Sequence, residues 1–125
     1  MRNYIIFDLE WNQSAHGKAD SIEDFPFEII EIGAVRLGQD YSMTEEFHRL
    51  IRPQVYTQMH YAISEVTHMD MTELRFHGED FKVAARDFLN WCKEDCIYCT
   101  WGSMDLTELQ RNMKYFMIEN PFPKP

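Results

Sequence analysis

Basic residues are scarce in this chain of 125 residues, and cysteines and long apolar runs are scarce as well. Lys and Arg number 12 against 21 Asp and Glu, which gives a formal net charge of -9 at pH 7. This deficit argues against a broad phosphate-gripping surface, because such a surface needs clustered Lys and Arg. Any nucleic acid would be held through few phosphates, unless the charge reports only a soluble acidic surface.

No apolar run approaches the roughly 20 residues that span a bilayer. The first residues, Met1-Arg2-Asn3, lead directly into an apolar segment without a secretory leader, so we expect no membrane contact and a cytoplasmic location. An odd number of cysteines in such a chain does not predict a disulfide framework. Length and a hydrophobic content of 45% predict one globular domain over residues 1–125.

The segment Tyr4–Asn12 is an apolar run that stops on two acids one residue apart. Its β-branched and aromatic residues predict a buried strand, whose two-residue period places Asp8 and Glu10 on one face at its end. Two carboxylates held so close repel each other, and a divalent cation such as Mg²⁺ or Mn²⁺ would neutralise them. The simpler alternative is a strand that ends in an acidic turn, and so short a motif does not decide between the two.

Two further strands follow a polar loop at Gln13–Asp24. They are predicted at Phe27–Leu37 and Ser42–Ile51, with a hairpin turn at Gly38-Gln39-Asp40 between them. Three consecutive strands joined in this way form an antiparallel meander.

The remaining elements are mostly helical. Short helical pieces are predicted within Met59–Leu74, and apolar residues at three- and four-residue spacing predict a longer helix over Glu79–Glu94. A strand at Ile97–Trp101 follows, and the proline-rich end at Pro121–Pro125 is incompatible with a helix. Ser103 is the expected N-cap of a last helix, whose apolar face is Leu106, Leu109, Met113 and Phe116.

A strand, a crossover helix and a second strand in one sheet form a right-handed unit with parallel strands. The Ile97 strand is therefore expected to lie parallel to the Tyr4 strand. Asp105, at the start of the last helix, then joins Asp8 and Glu10 at the carboxyl edge of the sheet, where α/β proteins bind ligands. An acid in the first turn of a helix also stabilises the helix dipole, and the two roles are compatible.

The motifs resemble those of the DEDD superfamily of 3′-to-5′ exonucleases, of the DEDDh type found in proofreading exonucleases. Phe7-Asp8-Leu9-Glu10 is similar to the first motif of that family, and Glu28–Val35 to its second strand. Val66-Thr67-His68-Met69 resembles a Leu-Thr-Gly-Ile region. Trp101-Gly102-Ser103-Met104-Asp105, with Leu109 and Asn112, resembles the motif that supplies the third acid.

The resemblance implies an α/β protein with a ribonuclease H-like mixed sheet, namely the three-strand antiparallel meander plus one parallel strand, flanked by helices. It also implies a third motif, a His or Tyr followed by a metal-binding Asp, which no segment after Asn112 supplies. No general base is therefore assigned. The expectation is a truncated exonuclease domain without the family's C-terminal strand and helices, in which His48, His60, His68 and His77 are ordinary surface or loop residues.

The activity implied is removal of nucleotides from 3′ ends of single-stranded RNA or DNA, impaired by the missing motif. Two Mg²⁺ or Mn²⁺ ions would clamp the scissile phosphate, with Asp8 bridging both ions and Glu10 and Asp105 holding one each. Substrate contacts are expected from Thr67, His68 and Trp11. The indole of Trp11 would stack on a terminal base, or it is a packing aromatic.

Two other classes compete with the enzyme. A non-catalytic nucleic-acid-binding or interaction module on the same fold fits the missing motif, because function depends on the site and not on the fold. Cys92, Cys96 and Cys99 have the spacing of a radical S-adenosylmethionine iron–sulfur motif, although core packing accounts for thiols on a helix's apolar face and around a buried strand. An exposed sheet edge would also favour a homo-oligomer.

Overall fold

In the part of the chain that the structure describes, four strands form one mixed sheet in the order β3-β2-β1-β4. They are β1 (Asn3–Asn12), β2 (Glu28–Leu37), β3 (Met43–Leu50) and β4 (Cys96–Cys99). Strand β2 pairs antiparallel with both β1 and β3, and β4 lies parallel to β1. The computed structural model describes residues 2–93 and 96–122. It confirms the predicted meander with one added parallel strand.

Among the described residues, four α-helices accompany the sheet: α1 (Tyr61–Thr67), α2 (Met71–His77), α3 (Phe81–Cys92) and α4 (Met104–Tyr115). Helix α1 lies within the segment Met59–Leu74 for which helical pieces are predicted, whereas α2 begins in it and extends past it to His77. His68 ends α1 in the left-handed conformation, with φ of 58°. Asp80 begins α3 by accepting a hydrogen bond from the backbone N–H of Lys82. The predicted end of this helix at Glu94 lies outside the described residues, as do the last three residues of the proline-rich end.

The predicted strand Ile97–Trp101 is wrong at its carboxyl end. Strand β4 stops at Cys99, and Gly102 then takes φ of 92°, a left-handed conformation that turns the chain out of the sheet. Ser103 precedes α4 as predicted, but its hydroxyl caps no N–H among the residues the structure describes. The predicted loop Gln13–Asp24 contains a 3₁₀ turn at Lys18–Asp20.

The core lies between one face of the sheet and helices α3 and α4. Every second residue of β1 faces it, and Phe7 packs edge-to-face on Phe88 of α3 with ring centroids 5.6 Å apart. Cys92 is fully buried there, as the core-packing interpretation requires. Cys96 and Cys99 are half-buried, because β4 lies at an edge of the described sheet and is covered less completely than a central strand.

Arg36 fixes the carboxyl end of α3. Its buried guanidinium donates to the carbonyl oxygens of Trp91 and Cys92, and it lies 4.7 Å from the centre of the Trp91 ring. The last carbonyls of a helix have no partner within the helix, and a cation there also opposes the helix dipole. A side chain from β2 thus determines where α3 ends.

Two buried polar side chains hold the segment 54–60 against the sheet. The carboxylate of Glu28 accepts backbone N–H groups from Gln54, Val55 and Tyr56, at 2.8 to 3.3 Å. Asn12 accepts from the N–H of His60 at 2.9 Å and donates to the carbonyl oxygen of Gln58 at 2.9 Å. The entry to α1 is therefore fixed to the same strand end that carries the acids.

We expect Glu28→Gln to destabilise the protein by about 1 to 3 kcal/mol, because an amide group turns a donor toward buried N–H groups that then lose their acceptor. Urea unfolding measures this loss. Glu65→Gln, on the exposed side of α1, is the matched control and should change stability little. Equal stability of the two variants would show that Glu28 does not hold the segment.

A second buried acid predicts a pH effect on stability. Burial of Glu108 raises the pKa of its carboxyl above 4.5, although Arg111 at 2.9 Å opposes the shift, and Oε2 has no partner among the described residues. The unfolded chain ionises first, so this group lowers stability as pH rises through 4.5 toward the raised pKa. The Tm of Glu108→Gln should therefore rise relative to that of wild type as the pH increases above 4.5. A difference in Tm that is constant with pH would contradict this assignment.

Candidate active site

Asp8 and Glu10 stand at the carboxyl end of β1, the strand that lies between β2 and β4. The pairing register places Asp8 opposite Gly33 and Glu10 opposite Glu31. A bulge follows between Glu10 and Trp11, where β2 carries one extra residue. The two acids therefore share one face of the sheet, as predicted, and the regular register ends directly after them.

Asp105 joins β1 from the first turn of α4. Its Oδ2 accepts a hydrogen bond of 3.0 Å from the backbone N–H of Leu9, the residue between the two strand acids. About two turns farther along α4, the side chain of Asn112 accepts a hydrogen bond from the N–H of Ile29 and donates one to the carbonyl oxygen of Phe27, both at 3.0 Å. Helix α4 is thus fixed at both positions, and the structure brings the three predicted acids together.

Two of the three carboxylates, Glu10 and Asp105, have raised pKa values. Burial is the largest cause that raises the pKa of Glu10, and the charges of Asp8, Glu31 and Asp105 add to it. Burial likewise raises the pKa of Asp105, the N–H of Leu9 opposes this, and a hydrogen bond and repulsion from Asp8 raise it further. Negative charge is therefore concentrated at this edge, where a proton or a cation is favoured.

Glu31 and His48 extend the acidic face across the sheet, and the sequence reasoning did not assign them to the site. Glu31 is the direct cross-strand neighbour of Glu10, and Nε2 of His48 lies 2.6 Å from its Oε2. His48 in turn is opposite Gly33, the neighbour of Asp8. Only the strand register reveals this proximity, because a long loop separates Glu10 from Glu31 in the sequence and the pairing of the two strands cannot be read from it.

The three residues expected to contact substrate lie on β1 and at the end of α1. Trp11 is half-buried against the core, with its ring centroid 5.7 Å from that of Phe27. Thr67 Oγ1 donates to the carbonyl oxygen of Ile63 at 2.7 Å and accepts from the N–H of Met69, so its hydroxyl already ends α1. His68 is exposed. The contacts of Trp11 agree with a packing aromatic, and the substrate role of all three stays a prediction.

The donor chemistry of the acids fits a hard divalent cation. Carboxylate oxygens are the ligands that Mg²⁺ takes, with only one or two from the protein and the rest from water and phosphate. Within residues 2–93 and 96–122, no group of three His, Cys, Asp or Glu side chains is arranged to hold one ion. Asp105 uses one oxygen for the N–H of Leu9.

The described part of the chain also contains no helix long and apolar enough to cross a membrane.

Solved structures share this fold at low sequence identity. The nuclease domain of 3′hExo, described as a DEDDh family member bound to rAMP, has 21% identity and a TM-score of 0.78, covering 98% of this chain and 64% of that one. Cell-death related nuclease 4 has 18% identity and a TM-score of 0.78, covering 97% and 42%. E. coli exonuclease I in complex with a dT13 oligonucleotide has 15% identity and a TM-score of 0.69, covering 92% and 24%.

The chain therefore spans less than two thirds of the length of these structures, and its fold is that of ribonuclease H-like exonucleases. Among curated proteins no match was found. A family model described as exonuclease, RNase_T, matches residues 5–124, nearly the whole sequence. The chain belongs to this exonuclease family.

Proposed function

We propose that this protein is a metal-dependent 3′-to-5′ exonuclease that removes nucleotides from the ends of single-stranded RNA or DNA. One observation carries the proposal. In a chain of the exonuclease family, the bond from the N–H of Leu9 to Asp105 joins the third acid to the strand that bears Asp8 and Glu10. Three carboxylates at the carboxyl edge of a sheet are suited to phosphate chemistry through metal ions.

The substrate class is supported by what similar structures bind. The 3′hExo domain is bound to rAMP, a related 3′-exonuclease recognises the 3′ end of the histone mRNA stem-loop, and exonuclease I is in complex with dT13. These ligands include both RNA and DNA. The proposal therefore covers both sugars, and the experiment below compares them.

The acids of this chain would hold Mg²⁺ or Mn²⁺. Asp8, Glu10 and Asp105 are the residues proposed to hold the two ions. Such ions, when bound, activate a water molecule and stabilise the leaving oxygen. The N–H of Leu9 orients Asp105 by occupying one of its oxygens. We assign no general base among residues 1–125.

A non-catalytic nucleic-acid-binding module is the second candidate. It is favoured by the absence, in the described part of the chain, of a three-residue group arranged for a metal ion. In this case Asp105 is an acid that fixes α4 to β1. The two candidates differ in whether the acids matter for anything besides folding.

Pairing of two copies through the β4 edge is a further prediction that either candidate allows.

We expect Mn²⁺-dependent shortening of a 5′-labelled single-stranded RNA or DNA from its 3′ end. Asp8→Asn should slow this shortening by about 10²-fold or more, because metal stabilisation of the transition state contributes several kcal/mol. Resolved ladders of products measure the rate for each substrate. Glu46→Gln, an exposed acid on β3, is the matched control and should leave the rate unchanged.

Products shortened from the 5′ end would overturn the assigned direction. A ladder that persists in Asp8→Asn would exclude the acids as the site. Strand binding without any shortening, in a folded wild-type chain, would support the binding module instead.

A further inference from the structure

Trp101 is the most exposed large apolar side chain among the described residues, with 99% of its surface accessible. The other two tryptophans are partly buried, Trp11 against the core and Trp91 beneath Arg36. Leaving an indole in water forgoes the burial of a large apolar surface. Such complete exposure leaves the whole face of the indole ring available for contact with a ligand.

Trp101 lies on the turn between β4 and α4. Strand β4 ends two residues before it, at Cys99, whose parallel partner on β1 is Ile6. Asp105 follows four residues later at the start of α4, bonded to the N–H of Leu9. Trp101 therefore lies on the segment that leads into the carboxyl edge at which the proposed reaction takes place.

The turn that carries Trp101 is held by its own hydrogen bonds. Thr100 Oγ1 donates to the carbonyl oxygen of Gly102, and Thr107 Oγ1 donates to that of Ser103 at 3.0 Å. Gly102 takes its left-handed φ of 92° between them. The indole is thus presented outward by a defined turn, which lowers the entropy lost when a flat ring stacks on it.

The charge of the chain favours stacking as a source of affinity. With 12 basic and 21 acidic residues, few cations are available to hold phosphates. Base–aromatic stacking needs no cation and tolerates every base, because each base has a π-face. We propose that Trp101 is a stacking platform for a nucleobase of the single-stranded nucleic acid whose 3′ end lies at the three acids. This inference rests on the proposed function and adds a binding residue to it.

The neighbours of Trp101 favour a base over a protein surface. Residues 101–103 are all exposed, Gly102 and Ser103 offer no large apolar side chain, and the exposed Met104 follows them. Protein interfaces bury contiguous patches with an apolar centre. One flat ring with so little apolar surface around it, near acids that are proposed to hold phosphate-bearing substrates through metal ions, matches a single stacked base instead.

The test is a fluorescence titration with a strand of eight adenine nucleotides, once as DNA and once as RNA. The parent protein is the full chain with Asp8→Asn, a substitution expected to prevent hydrolysis. Saturable quenching of tryptophan emission is expected. Trp101→Ala should abolish most of the quenching and weaken binding by about 5- to 100-fold, whereas Trp101→Phe retains stacking and most of the affinity. Phe76→Ala, which removes another exposed aromatic, should bind as the parent does.

An octamer without bases at its last three positions isolates stacking from phosphate contacts. It should bind the parent weakly and bind Trp101→Ala equally weakly. If Trp101→Ala binds the intact octamer as tightly as the parent, the stacking role is overturned while the ladder assay still decides the exonuclease. The stacking role is likewise overturned if the parent binds neither octamer. It is also overturned if the fluorescence of the protein without ligand shows that Trp101 is already buried in a dimer.

Discussion

The hydrogen bond between the backbone N–H of Leu9 and Asp105 is the contact on which the site depends. It joins a helix to a strand at a residue flanked on both sides by acids, so three carboxylates lie together. Hydrogen bonds from N–H groups to a carboxylate are stronger than those between neutral groups. The bond thereby opposes the burial and the repulsion from Asp8 that raise the pKa of Asp105. One peptide group therefore fixes both the geometry and the charge of the edge.

Buried polar groups repeat this arrangement around the strand end. Asn112 anchors α4 to β2, and Glu28 and Asn12 anchor the segment before α1. Each satisfies backbone groups that would otherwise be costly to bury. The apolar core determines that sheet and helices pack, and these polar anchors determine at which register. A site built from several elements needs such anchors, since small displacements separate ligands that act together.

If the protein acts as proposed, it must bind an anionic polymer with few cations of its own. The acids would attract metal ions, which carry the positive charge that the protein lacks, and an exposed indole would contribute affinity that is independent of charge. Salt dependence of strand binding should then be shallow, because few phosphates are neutralised by Lys and Arg. The composition and the site are consistent with each other in this respect.

The sequence by itself determined the elements and their order. A two-residue period fixed the face of Asp8 and Glu10, three- and four-residue spacing fixed α3 and α4, and the crossover rule fixed the parallel strand, because all of these are local or chiral constraints. Only the tertiary structure decided what loop lengths leave open. It paired Glu10 with Glu31 and Glu31 with His48, used the carboxylate of Glu28 as a buried anchor, and ended β4 two residues early so that Trp101 left the sheet. These contacts join residues distant in sequence, and cross-strand register and a left-handed glycine leave no periodic signal that local reasoning detects.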